Sequence, residues 1–286
     1  MLIDAHSHAY RTDDRPLIKT RSEDLDRCVP ASDPGKWVLH HEGSAHSLVR
    51  EEQRAGIDRC VLLPVSGRAE RVSELNRWSA EKAEEDPMII PFATLMAASA
   101  GLEEDLEEIL DLGLQGVKIH PVLQHLDILS DEAHAMWSLL EEAGLPVVLD
   151  TMSIQDLPRF KPHLRGFSAF AGSWEAGPSR VGEMAEAHPG LTVIAAHLGS
   201  LFGWDHLEPL YDLDNVYFDL SFVSGIIPDE AVMEIIGRKG SDRVFFGTDT
   251  PWRDPLQERR WFESLPLGAE EREAVSWKNL AGLLGL

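Results

Sequence analysis

Eight short apolar runs recur along the chain with helical patterns between them, and no other feature constrains the fold as much. The runs are Leu2–Ala5, Cys60–Val65, Ile89–Leu95, Leu114–Ile119, Pro146–Leu149, Leu191–Ala196, Val216–Leu220 and Val244–Phe246. Several are apolar at consecutive positions, as expected of parallel strands covered on both faces. The segments between them carry helical signals. Leu102, Leu106, Ile109 and Leu110 form an apolar stripe that closes at Gly113. Ser130 is placed to cap a helix over Asp131–Ala143, which stops at Gly144. Further helices are expected over Ser47–Ala55, Arg68–Asp86, Ser179–Ala187, Asp229–Arg238, Pro255–Leu265 and Ala269–Leu284.

Strand–helix alternation repeated eight times within 286 residues predicts the α/β class and a (β/α)8 TIM barrel, one domain over residues 1–286. A doubly wound open sheet would show a Gly-rich phosphate loop after an early strand, and none is present. The connection from Ala9 to Gly43 is long and polar and contains Pro16, Pro30 and Pro34. As the first βα loop it is expected over the active face.

Charge narrows the partners. Lys and Arg number 26 against 49 Asp and Glu, a net charge of −23, with seven lysines in all. Phosphate contacts need clustered cations, so nucleic acid and anionic membrane are not expected partners. A small-molecule substrate is expected, and a homo-oligomer is compatible with the sequence. Two cysteines, Cys28 and Cys60, are too few for a disulfide framework or a thiolate zinc site. No run approaches bilayer length and the N-terminus lacks a signal-peptide pattern, so a cytoplasmic location is expected.

In a barrel, chemistry sits at the C-terminal ends of the strands. There the chain carries Asp4-Ala-His6-Ser-His8, Lys118-Ile-His120-Pro121, Asp150, His197-Leu-Gly199 and Gly247-Thr-Asp249-Thr-Pro251. Residues two apart on a strand share a face, so His6 and His8 point the same way. In a closed barrel the last strand pairs with the first, which would bring Asp249 beside them. Imidazole and carboxylate together suit zinc, iron or manganese. Lys118 and His120 also share a face, and a lysine inside a barrel calls for a partner such as Asp150 or Asp249, or a modification. Asp4 and Asp219 lie on strands, where buried carboxylates would anchor neighbouring groups.

These stretches, with Ala55-Gly-Ile-Asp58, Gly116-Val-Lys-Ile-His120-Pro121, Asn215-Val-Tyr-Phe-Asp219-Leu-Ser221 and Trp277-Lys-Asn279 in the same order, resemble the amidohydrolase superfamily, in its branch of metal-dependent hydrolases and decarboxylases. The resemblance implies His6, His8 and Asp249 as metal ligands, with Asp249 also accepting a proton. It implies one or two divalent ions, zinc first, with manganese or iron as alternatives. His197 would stand near the metal. The family's strand-five histidine is replaced by Asp150, which would ligate through oxygen or support an imidazole from behind. Asp150, His120 or a carboxylated Lys118 would complete the site. Asp249, His197, His120 and Lys118 are therefore the expected catalytic groups. The expected activity is hydrolysis of an amide, lactone or ester carbonyl by metal-activated water. The alternatives are decarboxylation of a small carboxylic acid, with Arg11, Arg15, Arg21 or Lys118 meeting the carboxylate, and a non-catalytic metal-binding barrel. His40, His41, His46 and His125 fall in or near βα loops. His134, His163 and His188 read as surface, loop and helix-end residues, and Cys60 as a buried strand residue.

Overall fold

The computed structural model describes the chain apart from Val29, Ala31, Ser32, Pro34, Gly35 and residues 162–173, and apart from the side chain of Cys28. Pro34 and His163 therefore lie outside the described residues. The strands are β1 (Ile3–Ser7), β2 (Arg59–Leu62), β3 (Ile89–Pro91), β4 (Ala93–Thr94), β5 (Val117–Ile119), β6 (Val147–Leu149), β7 (Val193–Ala195), β8 (Val216–Asp219) and β9 (Val244–Phe245). Each expected run overlaps a strand, and Ile89–Leu95 contains two, β3 and β4, separated at Phe92.

Two compact units make up the chain. The first comprises Met1–Leu62, Asp86–Ile90 and Asp219–Leu286. In it β1, β2 and β3 are neighbours in that order. The end of the chain returns to β1: Ala5 N–H donates to Phe246 O at 2.9 Å, Asp249 N–H donates to His6 O at 2.7 Å, and Ser7 bridges Thr250 in parallel. The last strand thus pairs with the first, as closure of the alternating pattern requires. The helix Ala45–Ala55 belongs to this unit. It starts at a Ser44–Ser47 capping box and ends at Gly56, whose φ of 68° is open to glycine at little cost. Its buried face is Ser47, Leu48, Glu52 and Ala55.

The second unit comprises Leu63–Glu85 and Pro91–Phe218. Strands β4 to β8 lie side by side in chain order, each pairing with the next in parallel. Helix Asp131–Ala143 has the expected bounds. Ser130 Oγ accepts from Ala133 N–H at 3.2 Å, and Gly144 closes the helix at φ 67°. Trp137, buried on this helix, donates its indole N–H to Ile128 O at 3.0 Å, so the large ring enters the core with its polar atom satisfied.

One expectation is corrected. The connection Ala9–Gly43 is not loop throughout, because a helix spans Arg15–Cys28. Among its described side chains only Ser22 is buried, so it has no apolar stripe to reveal it. Local pairs such as Lys19–Glu23 at 4.0 Å and Arg27–Asp24 at 2.8 Å run along its surface instead.

Candidate metal centre

In the first unit, β1 delivers His6 and His8 and the segment after β9 delivers Asp249. His6 is wholly buried, His8 and Asp249 nearly so. His8 Nε2 lies 3.2 Å from Asp249 Oδ1 and His6 Nε2 lies 3.7 Å from the same oxygen. One donor atom from each of the three lies within 4.8 Å of the others. Backbone pairing sets this approach, since His8 N–H donates to Thr250 O at 2.7 Å, one residue beyond Asp249. Gly247 permits it. A Cβ there would stand 3.2 Å from that of His6 and 3.4 Å from that of Asp219.

The tautomer of His6 is settled by its other side. Nδ1 meets Asp219 Oδ2 at 2.8 Å, and both groups are fully buried. An ionised carboxylate only accepts, so Nδ1 carries the proton and Nε2 presents its lone pair toward Asp249. Asp219 is held in turn by the N–H of Ser221 at 3.0 Å and by the Ser221 hydroxyl. Two imidazole lone pairs and a carboxylate converging in a buried pocket, one imidazole backed by a second carboxylate, fit a divalent cation.

Around this trio, Tyr10 stacks on His8 at 6.4 Å between centroids, and Trp252 donates to Tyr10 Oη at 2.8 Å. His41 accepts from Gly43 N–H at Nδ1 (3.2 Å), so its Nε2–H donates to Thr250 Oγ1 at 2.9 Å. Burial pushes His41 down to about 4, which keeps it neutral.

Behind the trio lies an acid pair. Asp4 Oδ1 accepts from His6 N–H at 2.8 Å and from Thr248 N–H at 2.9 Å, and the Thr248 hydroxyl donates to Oδ2. Asp4 therefore ties the backbone of one expected ligand to the residue preceding another. Burial pushes its carboxyl up to about 7 against these hydrogen bonds. Glu52 faces it from the helix Ala45–Ala55. Burial, reinforced by the charge of Asp4, raises the Glu52 carboxyl well above its ordinary range. Asp4 was expected as an anchor, but Glu52 was not. Its signal was available, because it continues the Leu48, Glu52, Ala55 buried face with a charged residue type.

In the second unit, Lys118 at β5, His120 just beyond it, Asp150 after β6 and His197 after β7 come together. Lys118 is wholly buried, and its Nζ meets Asp150 Oδ2 at 3.1 Å. His120 Nε2 lies 3.7 Å from Asp150 Oδ1, and His197 Nε2 lies 3.7 Å from Oδ2. Burial alone would raise Asp150, but His120, Lys118 and His197 overcome it and hold its carboxyl well below the usual range. Of the two expected partners for Lys118, the structure supplies Asp150. The backbone of His197 has φ +58°, and the Trp204 indole N–H clasps its carbonyl at 2.9 Å.

Other histidines take other places. His125 stacks on Trp174 at 4.0 Å. His134 Nδ1 meets His188 Nε2 at 2.8 Å, and His188, buried, lies 3.4 Å from Glu141. Cys60 is buried on its strand. Among the loop arginines, Arg15 faces Glu42 at 3.3 Å and Arg21 is exposed.

A barrel scaffold with His-x-His at the end of the first strand and Asp after the last, a trio that could hold a cation, is the arrangement of an amidohydrolase-type TIM barrel. The profile of the amidohydrolase family matches residues 3–286, and the chain belongs to that family. Its fold is shared by solved structures along nearly their whole length. A TIM-barrel protein from Bordetella bronchiseptica has a TM-score of 0.76 at 20% identity, with 99% of this chain and 98% of the other covered. The 5-carboxyvanillate decarboxylase of Sphingomonas paucimobilis has a TM-score of 0.72 at 17% identity, covering 100% and 99%. A dihydroxybenzoic acid decarboxylase from Polaromonas sp., solved with bound manganese and 2-nitroresorcinol, has a TM-score of 0.73 at 18% identity, covering 100% and 97%. The expected (β/α)8 barrel is the fold of this chain. By sequence, gamma-resorcylate decarboxylases from Polaromonas sp. and Rhodococcus jostii are 26% and 25% identical over 118 residues. That stretch is 35% of this chain and 36% of each enzyme, so the match spans about a third of the curated relatives' length.

These relatives correct the expectation of a hydrolase. The named enzymes among them are decarboxylases. The His6, His8, Asp249 pattern does not discriminate, because it marks a place that could hold a cation and not the bond that is broken. Zinc as the first choice of metal is not supported either, since two similar structures solved with a metal hold manganese. Among the described residues no helix is long and apolar enough to cross a membrane.

Proposed function

We propose that this chain is a metal-dependent decarboxylase of a small aromatic or unsaturated carboxylic acid. The observation that carries the reading is the convergence of His6, His8 and Asp249 on one point, in a fold common to named decarboxylases. A divalent cation, manganese or zinc, held by His6, His8 and Asp249 would supply Lewis-acid stabilisation of the negative charge that develops as carbon dioxide leaves. The reaction breaks one C–C bond, leaves its electron pair on the substrate carbon and places a proton there. The chain must therefore hold a proton and a counter-charge. Lys118 offers an ammonium for the carboxylate. His120 and His197 carry exchangeable ring protons and are held on Asp150, and Asp249 is the acidic group of the other cluster. Asp150 keeps the nitrogens of its three neighbours turned toward a fixed anion, which is the role proposed for it here.

The test is to incubate manganese-loaded protein with 2,6-dihydroxybenzoate, 5-carboxyvanillate and related hydroxybenzoates, and to measure released carbon dioxide. The expected result is release with one equivalent of decarboxylated product, lost in Asp249→Asn and reduced in Lys118→Met. Absence of carbon dioxide release across a broad panel of aromatic and unsaturated acids, with metal bound, would refute the proposal.

A further inference from the structure

The geometry points to His41 as a positioning residue for the His6, His8, Asp249 centre: an imidazole strut that holds Thr250, and through Thr250 the backbone of both His8 and Asp249. The inference rests on the reading of that trio as metal ligands.

Thr250 is wholly buried and joins two of the three side chains. It follows Asp249 in the chain, and its carbonyl accepts from His8 N–H at 2.7 Å. Its own N–H donates to Thr248 Oγ1 at 3.0 Å, which ties it to the residue before Asp249. Asp249 has φ +66°, a backbone that costs a residue other than glycine and persists where its surroundings hold it. Trp252 N–H holds the Asp249 carbonyl at 2.9 Å. The hold on the next residue comes from His41, whose Nε2 lies 2.9 Å from Thr250 Oγ1.

His41 stands near the end of the Ala9–Gly43 connection, and this end is sewn to the chain just past two of the three side chains. His40 N–H donates to Pro251 O at 2.7 Å, so successive residues of the connection meet the two residues that follow Asp249. Gly43 O accepts from Tyr10 N–H at 2.7 Å, two residues beyond His8. The His41 ring is held at both nitrogens. Nδ1 accepts from Gly43 N–H at 3.2 Å and lies 2.8 Å from Ser47 Oγ, part of the capping box that starts the helix Ala45–Ala55. An imidazole that accepts at Nδ1 carries its proton at Nε2, so the ring donates to the Thr250 hydroxyl. The strut therefore runs from a helix cap to the residue shared by His8 and Asp249. Leucine at position 41 would neither accept nor donate, and the buried Thr250 hydroxyl would lose its donor.

The experiment titrates chelator-stripped protein with Mn²⁺ alone. His41→Leu and Thr250→Val, each folded by circular dichroism, are expected to bind about threefold or more weakly than wild type. The double variant is expected to bind no more weakly than the weaker single variant, because both changes remove one shared hydrogen bond. Folded His41→Leu that loses stability in urea yet keeps wild-type Mn²⁺ affinity would overturn the inference, since a histidine that only supports the fold gives that result. A double variant whose loss is the product of the two single losses would overturn it as well. A further measurement needs no folded variant. In wild type labelled with ¹⁵N at histidine, the His41 ring should be protonated at Nε2 and bare at Nδ1, and the opposite tautomer overturns the inference. Failure of wild type itself to bind Mn²⁺ would sink the metal reading and this inference with it, and the tautomer then tells whether the strut itself exists.

Discussion

Replacing Glu52 by glutamine should make the protein more stable at neutral pH, by an amount that grows with pH. The unfolded chain releases the Glu52 proton above its ordinary value of 4.5, whereas burial and the charge of Asp4 keep the folded carboxyl protonated well above it. Above 4.5 the unfolded state therefore binds fewer protons than the folded state, and stability falls as pH rises. Each pH unit costs about 1.4 kcal/mol for as long as the folded carboxyl stays protonated. The cost accumulates upward from 4.5 until the folded carboxyl itself ionises, against the ~5–15 kcal/mol that holds a typical domain. Glutamine presents nearly the same shape and a donor but cannot ionise, so it escapes this cost. Asp4, raised to about 7, adds a slope of the same sign, so the difference between the two proteins reports the acid pair as a unit. Urea titrations of wild type and Glu52→Gln, followed by the fluorescence of the eight tryptophans, should give stabilities that diverge as pH rises from 4.5 toward neutrality. A pH-independent offset from the amide shifts both ends alike and does not affect the slope. Parallel curves, with the same difference at both ends of the range, would refute the argument.

Three further outcomes are expected. His41, pushed down to about 4 from 6.5, stabilises the fold above pH 6.5 and loses that contribution as pH falls toward 4. Relative to His41→Gln, wild type should lose at most about 3 kcal/mol over that interval in urea titrations. Asp219→Asn removes the anion that sets the His6 tautomer, and Mn²⁺ affinity measured by calorimetry should fall about 10–100-fold with the fold retained. Lys118→Met leaves Asp150 without its ammonium and should cost about 3–5 kcal/mol in urea titrations. Adding Asp150→Asn should recover most of that.

Much of the fold was legible because parallel strands covered on both faces leave unbroken apolar runs such as Leu191–Ala196, which contains β7. The trio at the centre was legible for a topological reason. A closed barrel pairs its last strand with its first, so a histidine pair at one end of the chain and an aspartate near the other become neighbours. The helix Arg15–Cys28 was missed because it buries almost nothing, and periodicity reports burial rather than helicity. Glu52 was missed because solvated glutamates are common on helices and only the register of Leu48 and Ala55 places it inward. Lys118 was recognised as a lysine in need of a partner, but the choice between Asp150 and Asp249 depends on which side chain reaches it. The preference for hydrolysis failed for a different reason. Substrate class is decided by the groups that meet the substrate, and a ligand motif does not record them.

Backbone conformation marks the same positions independently of residue type. The chain enters the left-handed region with glycine at the helix ends Gly56, Gly144 and Gly285, and with His125 at the end of the helix Pro121–Gln124. Past the ends of β7, β8 and β9 it enters that region with His197 and Leu198, with Phe222 and with Asp249. A left-handed residue other than glycine costs about 1–2 kcal/mol, least for aspartate and asparagine. Glycine would satisfy the turn at each of these positions, so the backbone alone does not account for the side chains found there. Local contacts hold two of the turns. Trp204 donates to the His197 carbonyl at 2.9 Å, and Trp252 N–H donates to that of Asp249 at 2.9 Å. Strain tolerated at a strand end and held by a local hydrogen bond, from the Trp204 indole in one case and the backbone N–H of Trp252 in the other, is the pattern of a side chain kept for what it does. His197 and Asp249 combine this backbone with a place past a strand end; His125 has the backbone but closes a helix, and His134 and His188, which hydrogen-bond to each other, have neither.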